Sequence, residues 1–219
     1  SLVARRLDGE PIAYIVGKQA FWDLELDVDK RVLIPRPETE LLIDTLVTAF
    51  DGEPRRVLDV GTGSGAIILA LARARPNWTL WASDVSPDAL AVAQYNAKKY
   101  GLAQRIQWVE ADMLTPFDKQ TFDIIVANPP YIDIKDPHMD ALQYEPQSAL
   151  VSAQGGYAHL QALITDAKVK LAPQGVLLLE HGYNQQATLL LYAEVLGYTI
   201  RRGLSDLAGI ERAVWLQVG

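Results

Sequence analysis

From Pro54 onward, short runs rich in valine, isoleucine and leucine alternate with longer segments of helical periodicity. That is the pattern of a parallel sheet covered on both faces. Arg56-Val57-Leu58-Asp59-Val60 predicts a first strand, and Ser64 to Ala74 the helix that follows. Thr79 to Ser83 predicts a second strand. Ser86-Pro87-Asp88 then opens a helix with a capping serine and a proline at its first position, and Gly101 stops it past Tyr100. Ile106 to Val109 and Phe122 to Ala127 predict two further strands. After an irregular stretch through Pro146 come a helix from Gly156 to Leu171, a strand from Gly175 to Glu180 and a helix from Asn184 to Leu196. Closing strands are predicted at Tyr198 to Ile200 and Ala213 to Leu216. The expected fold is α/β and doubly wound, with ligands binding at the carboxyl edge of the sheet.

The first 50 residues have a different pattern. Alternation across Phe21-Trp22-Asp23-Leu24-Glu25-Leu26-Asp27-Val28 predicts a half-buried strand, and Glu38 to Phe50 an amphipathic helix. These suggest a small hairpin-and-helix appendage over residues 1–50, packed on a main domain over 51–219.

Composition removes several possibilities. No apolar run approaches the roughly 20 residues of a membrane helix, so a soluble protein with one sizeable core is expected. Cysteine is absent, and His138, His159 and His181 show no metal-ligand spacing, so no metal site is expected. A net charge of −7 argues against a nonspecific grip on phosphate backbones. The start, Ser1-Leu2-Val3-Ala4-Arg5-Arg6, has neither an initiator methionine nor a signal-peptide core, and the chain is expected to begin inside a longer gene product.

Candidate chemistry falls at successive strand ends. Asp59-Val60-Gly61-Thr62-Gly63-Ser64-Gly65 lies between the first strand and its helix, where a ligand must press against bare backbone. Strictly alternating glycines after an acid favour S-adenosylmethionine over the G-x-G-x-x-G spacing of a dinucleotide site. Asp84 ends the second strand, where a carboxylate can accept both ribose hydroxyls. Asp112 follows the third strand and can take the adenine amino group, with Met113 packed on the ring face.

Asn128-Pro129-Pro130-Tyr131 leaves the fourth strand. Its prolines remove two donors, leaving local carbonyls free to face a ligand, and the Asn128 side chain adds another acceptor. Such a loop can grip both hydrogens of an NH2 group and aim a delocalised, poorly nucleophilic nitrogen at a methyl donor, while Tyr131 packs on the flat acceptor. These residues alone leave a glutamine amide and an adenine amine equally open. An adenine-N6 DNA methyltransferase is the nearest rival, opposed by the scattered, short basic clusters Arg5-Arg6, Arg55-Arg56, Lys98-Lys99 and Arg201-Arg202. An NAD-dependent dehydrogenase is opposed by the glycine spacing, and a non-catalytic nucleotide-binding module by the intact tetrapeptide.

At these residues the chain resembles N-methyltransferases bearing an Asn-Pro-Pro-Tyr motif, and most closely the release factor glutamine methyltransferases. The resemblance runs along nearly the whole chain and includes Asp8-Gly9-Glu10-Pro11-Ile12-Ala13, Leu33-Ile34-Pro35-Arg36-Pro37-Glu38-Thr39-Glu40, Tyr144-Glu145-Pro146 and Leu178-Leu179-Glu180-His181-Gly182. It implies a seven-stranded Rossmann-like sheet with an antiparallel last strand. It also implies methyl transfer from S-adenosylmethionine, leaving S-adenosylhomocysteine, to the glutamine amide in the Gly-Gly-Gln loop of peptide chain release factors, in the cytoplasm. By the same resemblance, Gly61, Thr62, Gly63, Ser64, Gly65, Asp84, Met113 and Asn128 touch the cofactor. Asn128, Pro129, Pro130 and Tyr131 would hold the glutamine, and Arg36 would close over the cofactor. Two departures stand out: the chain starts at the linker after the family's N-terminal helical domain, and the stretch from His138 to Tyr144 is a few residues shorter than the family pattern.

Overall fold

A computed structural model describes residues 1–137 and 139–219. Seven strands form one sheet: β3 (Arg56–Val60), β4 (Thr79–Asp84), β5 (Ile106–Glu110), β6 (Phe122–Ala127), β7 (Leu171–Glu180), β8 (Ile200–Ser205) and β9 (Glu211–Gln217). They lie in the order β5-β4-β3-β6-β7-β9-β8. The first five in that order run parallel, and β9 pairs antiparallel with both β7 and β8. The order reverses beside β3, which puts a crevice at the carboxyl ends of β3 and β6.

The helices follow from where their apolar residues fall. In α4 (Ala66–Ala74) every residue from Ala66 to Ala72 is buried, as an apolar-all-round helix between sheet and outer layer must be. With α3 (Glu40–Ala49) and α5 (Pro87–Lys99) it covers one face of the sheet. The other face is covered by α7 (Ala158–Lys170) and α8 (Gln186–Val195), aided by Leu114 and Phe117. Ser86 caps α5 by accepting from the Ala89 N–H at 3.2 Å. Short helices α1 (Leu2–Leu7) and α2 (Ile12–Val16) begin the chain, and the single-turn α6 (Ala153–Gly156) precedes α7. Among the described residues, no helix is long and apolar enough to cross a membrane.

Two predicted elements differ from the structure. Residues 21–28 form the end of a hairpin rather than one strand, β1 (Lys18–Phe21) pairing antiparallel with β2 (Leu24–Asp27). Trp22 takes φ of 53° at the turn, and α3 holds it there. The Trp22 N–H donates to Glu40 at 2.8 Å and its indole N–H to Asp44 at 3.1 Å. Those partners lie about 20 residues away, beyond the reach of local periodicity. The strand predicted at Tyr198 to Ile200 begins instead at Ile200 and runs through Arg201 and Arg202. Tyr198 is buried, its hydroxyl donating to the Ile164 carbonyl at 2.7 Å. An edge strand carries charged residues, which hides its apolar signal.

The hairpin and α3 bury Phe21, Leu24, Leu26, Leu42, Ile43 and Leu46 in the same apolar layer as α4 and the sheet. Asn96 of α5 locks the hairpin down, accepting from the Asp27 N–H at 2.8 Å while its NH2 donates to the Asp27 and Ser64 carbonyls. In the stretch expected to be shortened, His138 lies outside the described residues, and Met139–Leu142 forms a turn of 3-10 helix.

Candidate active site

A cleft of about 800 Å³ opens at the carboxyl edge of β3, β4 and β6. Gly61, Gly63, Asp84, Asp112, Met113, Asn128, Pro129 and Pro130 all line it, so the structure brings together the loops predicted at four separate strand ends. Gly61 and Gly63 sit at φ of 72° and 55°, and a Cβ built on either would meet no protein atom within 4 Å. The space in front of this backbone is therefore open to a ligand. Thr62, Ser64 and Gly65 do not line the cleft. The Thr62 hydroxyl donates to Asp59 at 2.6 Å, the Ser64 carbonyl accepts from Asn96, and Gly65 packs on Leu69 and Ala93. These three hold the loop from behind.

Carboxylates frame the loop. Asp84 accepts from the Gly63 N–H at 2.9 Å and the Ser86 N–H at 2.9 Å, tying the first two strand ends together. Burial pushes its pKa up, opposed by those N–H groups. Asp59 is fully buried, and desolvation pushes its pKa up to about 7 against the Thr62 hydrogen bond. Asp112 is exposed at the cleft, and Met113 beside it takes φ of 55°, a conformation that costs a non-glycine residue about 1 kcal/mol or more. Open glycine backbone, the Asp84 carboxylate and the Met113 side chain at one cleft are groups chemically suited to a nucleoside ligand such as S-adenosylmethionine.

A second recess of about 440 Å³ is lined by Leu33, Arg36, Asn128, Pro129, Tyr131, Ile132, Leu142, Ala149 and Leu150. Leu33, Asn128, Pro129 and Ala149 border both spaces, so the tetrapeptide forms part of the wall between cleft and recess. The Asn128 Nδ2 donates to the Thr39 hydroxyl at 3.1 Å, leaving Oδ1 without a partner among the described residues. The carbonyls of Pro129 and Pro130 enter no backbone hydrogen bond there either. The Tyr131 carbonyl is occupied: Gln185 Nε2 donates to it at 3.3 Å. Gly156 packs so closely behind that a Cβ there would collide with this carbonyl.

Arg36 lines the recess rather than the cleft, and it pairs with the buried carboxylate of Glu145. The same carboxylate accepts from the Ile34 N–H at 3.0 Å, joining the segment before α3 to the segment before α6. The Tyr131 hydroxyl donates to Glu180 at 3.1 Å. Glu180 is fully buried, and desolvation lifts its pKa to about 7 against the Tyr131 hydrogen bond.

Sequence reasoning assigned no role to Thr39, Glu145, Glu180 or Gln185. Thr39, Glu145 and Glu180 lie in segments that carry the family resemblance, and Gln185 has no signal beyond its polarity. His159 also lines the cleft, its Nδ1 and the Ser152 hydroxyl 2.8 Å apart. Among the described residues no cluster of three or more histidine, aspartate or glutamate side chains is arranged to hold a metal ion.

Residues 37–149 match the family model "Methyltransferase small domain". A release factor glutamine methyltransferase from Coxiella burnetii is 41% identical over 211 residues, covering 96% of this chain and 76% of that protein. One from Burkholderia pseudomallei is 42% identical, covering 97% of this chain and 78% of its own. The chain belongs to the release factor glutamine methyltransferase family. Among solved structures, a methyltransferase from Pyrococcus furiosus superposes with a TM-score of 0.68 at 18% identity, over 99% of this chain and 98% of that one. That likeness speaks to the fold alone. As a member of the glutamine methyltransferase family the protein is an enzyme, with the seven-stranded α/β fold of a methyltransferase. Glu145, Thr39 and Glu180 all fall in the segments that carried the family resemblance, which gives those segments a physical reason: each supplies a buried bond behind Arg36, Asn128 or Tyr131.

Proposed function

We propose that this enzyme transfers a methyl group from S-adenosylmethionine to the side-chain amide nitrogen of the glutamine in the Gly-Gly-Gln loop of peptide chain release factors, in the cytoplasm. The observation that carries the reading is the wall shared by cleft and recess at Asn128 and Pro129. A donor in the cleft and a flat NH2 group in the recess would meet across Asn128 and Pro129, which border both spaces together with Leu33 and Ala149. When bound, S-adenosylmethionine supplies a sulfonium methyl group and is released as S-adenosylhomocysteine.

Gly61 and Gly63 receive the cofactor against bare backbone, Asp84 accepts from its ribose, and Asp112 and Met113 meet its adenine. Asn128 Oδ1 and the prolyl carbonyls accept the two N–H hydrogens of the glutamine amide and turn its nitrogen toward the cleft. Tyr131 packs on the amide plane. The proton departs to water after transfer, so positioning and electrostatic complementarity supply the rate enhancement and no strong base is required. The names of the relatives support glutamine over adenine, and so does the acidic balance of the chain, with a net charge of −7.

The test is transfer of labelled methyl groups from S-adenosylmethionine to a purified release factor, to its loop Gln→Ala variant and to duplex DNA. Label is expected on the first substrate only. Label on DNA alone overturns the glutamine assignment.

A further inference from the structure

The loop Asn128-Pro129-Pro130-Tyr131 has little of its own to hold it in place. Pro129 and Pro130 carry no N–H, and their carbonyls enter no backbone hydrogen bond among the described residues. The loop must therefore be pinned at its ends. At the first end, Asn128 donates to Thr39. At the second, separate segments of the chain converge on the peptide group that joins Tyr131 to Ile132.

The Ile132 N–H donates to the Leu150 carbonyl at 2.9 Å, and the Ile132 carbonyl accepts from the Ser152 N–H at 2.9 Å. In a trans peptide the preceding carbonyl points the other way, and there Gln185 meets it. Gln185 Nε2 donates to the Tyr131 carbonyl at 3.3 Å and to the Gly156 carbonyl at 3.4 Å. The partners of Gln185 also settle which way its amide faces. Oε1 accepts from the Gly182 N–H at 2.8 Å, so the two hydrogens of Nε2 are left for two carbonyls. Turned over, the amide would set NH2 against an N–H and oxygen against two carbonyls.

Gln185 is buried and lines neither the cleft nor the recess, so no ligand competes for its bonds. Gly156 completes the fit. It takes φ of 90°, and a Cβ there would strike both the Tyr131 carbonyl and the Gln185 amide nitrogen. Tyr131, Ile132 and Leu150 all line the recess, so the clamped peptide belongs to the recess wall itself.

We propose that Gln185 is a positioning residue for the methyl acceptor: by holding the Tyr131 carbonyl against the Gly156 turn, it fixes the far end of the tetrapeptide and the recess wall with it. This rests on the reading of that recess as the place of the acceptor amide. Released from Gln185, the Tyr131 peptide can rotate and carry the Tyr131 ring and the prolyl carbonyls off the line of transfer.

The test compares Gln185→Met, Gly156→Ala, their double variant and Tyr198→Phe, in the full chain. Methionine keeps the length of the side chain and has no donor. Gln185→Met is expected to lower kcat about 10-fold, with KM for S-adenosylmethionine changed less than about 2-fold. Gly156→Ala presses a methyl group on the same carbonyl and is expected to give a loss of similar size. The double variant is expected to be no slower than the slower single variant, because both displace one carbonyl. Tyr198→Phe removes a buried hydrogen bond to the Ile164 carbonyl, and is expected to lower stability without changing kcat. An unchanged kcat in Gln185→Met overturns the proposal. So do losses in the double variant that sum on a logarithmic scale, and an equal fall of kcat in Tyr198→Phe, which would mark general loosening.

A second readout needs no turnover. The Ile132 amide shares its peptide group with the Tyr131 carbonyl, and its resonance is expected to move in Gln185→Met. An unmoved resonance overturns the clamp whatever the rates. If the unmodified chain methylates no release factor, the functional reading fails by itself, and the resonance still decides for or against the clamp.

Discussion

Around the cofactor cleft the chain is held by bonds between residues close in sequence. The Gly63 N–H reaches Asp84 only 21 residues on, Thr62 bonds to Asp59 three residues before it, and Ser86 closes on Asp84 two residues back. Around the acceptor recess the bonds run between side chains or from side chain to distant backbone. Asn128 is tied to Thr39 across 89 residues, Tyr131 to Glu180 across 49, and Ile34 to Glu145 across 111. The first region, in the proposed function, takes a ligand that many enzymes share and needs only loops at the right strand ends. The second must aim one nitrogen, which demands groups fixed from several directions. Each region nevertheless keeps one fully buried carboxyl, Asp59 on the cofactor side and Glu180 on the acceptor side.

That shared feature gives the largest expected effect. Both carboxyls ionise more readily in the unfolded chain than in the native one, where each is held up to about 7. The native state therefore keeps protons that the unfolded state releases. Stability from these groups is full below about pH 4 and is lost as pH rises through about 7. Asp59 is faced by Thr62 and Asp84, and Glu180 by Tyr131, Thr39, Arg212 and Glu38. Asp59→Asn and Glu180→Gln are each expected to flatten the profile by on the order of 3 kcal/mol between those limits, measured by urea unfolding across pH. A profile parallel to that of the unmodified protein breaks the equivalence of the two sides.

The next two effects separate the sides. Asn128→Ala is expected to lower the methyl-transfer rate about 10²-fold or more, as loss of one oriented hydrogen-bonding group does, while affinity for S-adenosylmethionine falls far less. Single-turnover kinetics beside calorimetry check this, and equal losses in both would merge the two regions into one. Asp84→Asn is expected to do the reverse, weakening S-adenosylmethionine about 10-fold through loss of charge-assisted hydrogen bonding, with a smaller change in kcat. A rate loss exceeding the affinity loss would move Asp84 into the acceptor machinery.

The same contrast explains what could be read from the chain. Strands with near-continuous apolar runs, such as Phe122–Ala127, are legible because both of their faces are buried. The loops that line the cleft are legible because each lies beside its strand in sequence, as Asp84 and Asp112 do. The hairpin turn at Trp22 and the start of β8 were hidden because α3 fixes one and edge exposure disguises the other. In the site, Asn128 and Tyr131 could be named from local chemistry. The bond from Gln185 to the Tyr131 carbonyl, 54 residues away, leaves no local signal. Thr39, Glu145 and Glu180 carry no local signature of their task, because each acts on a residue that only the folded chain brings near.

The long spans behind Asn128 and Tyr131 also impose an order of assembly. A chain growing from its N-terminus has residues 59–96, and the side-chain bonds that shape the glycine loop within that span, long before Glu180 emerges. Closing the wider loops costs more chain entropy and waits for β7 to dock beside β6. The aim of the methyl acceptor is thus the later acquisition, set only when the sheet is nearly complete.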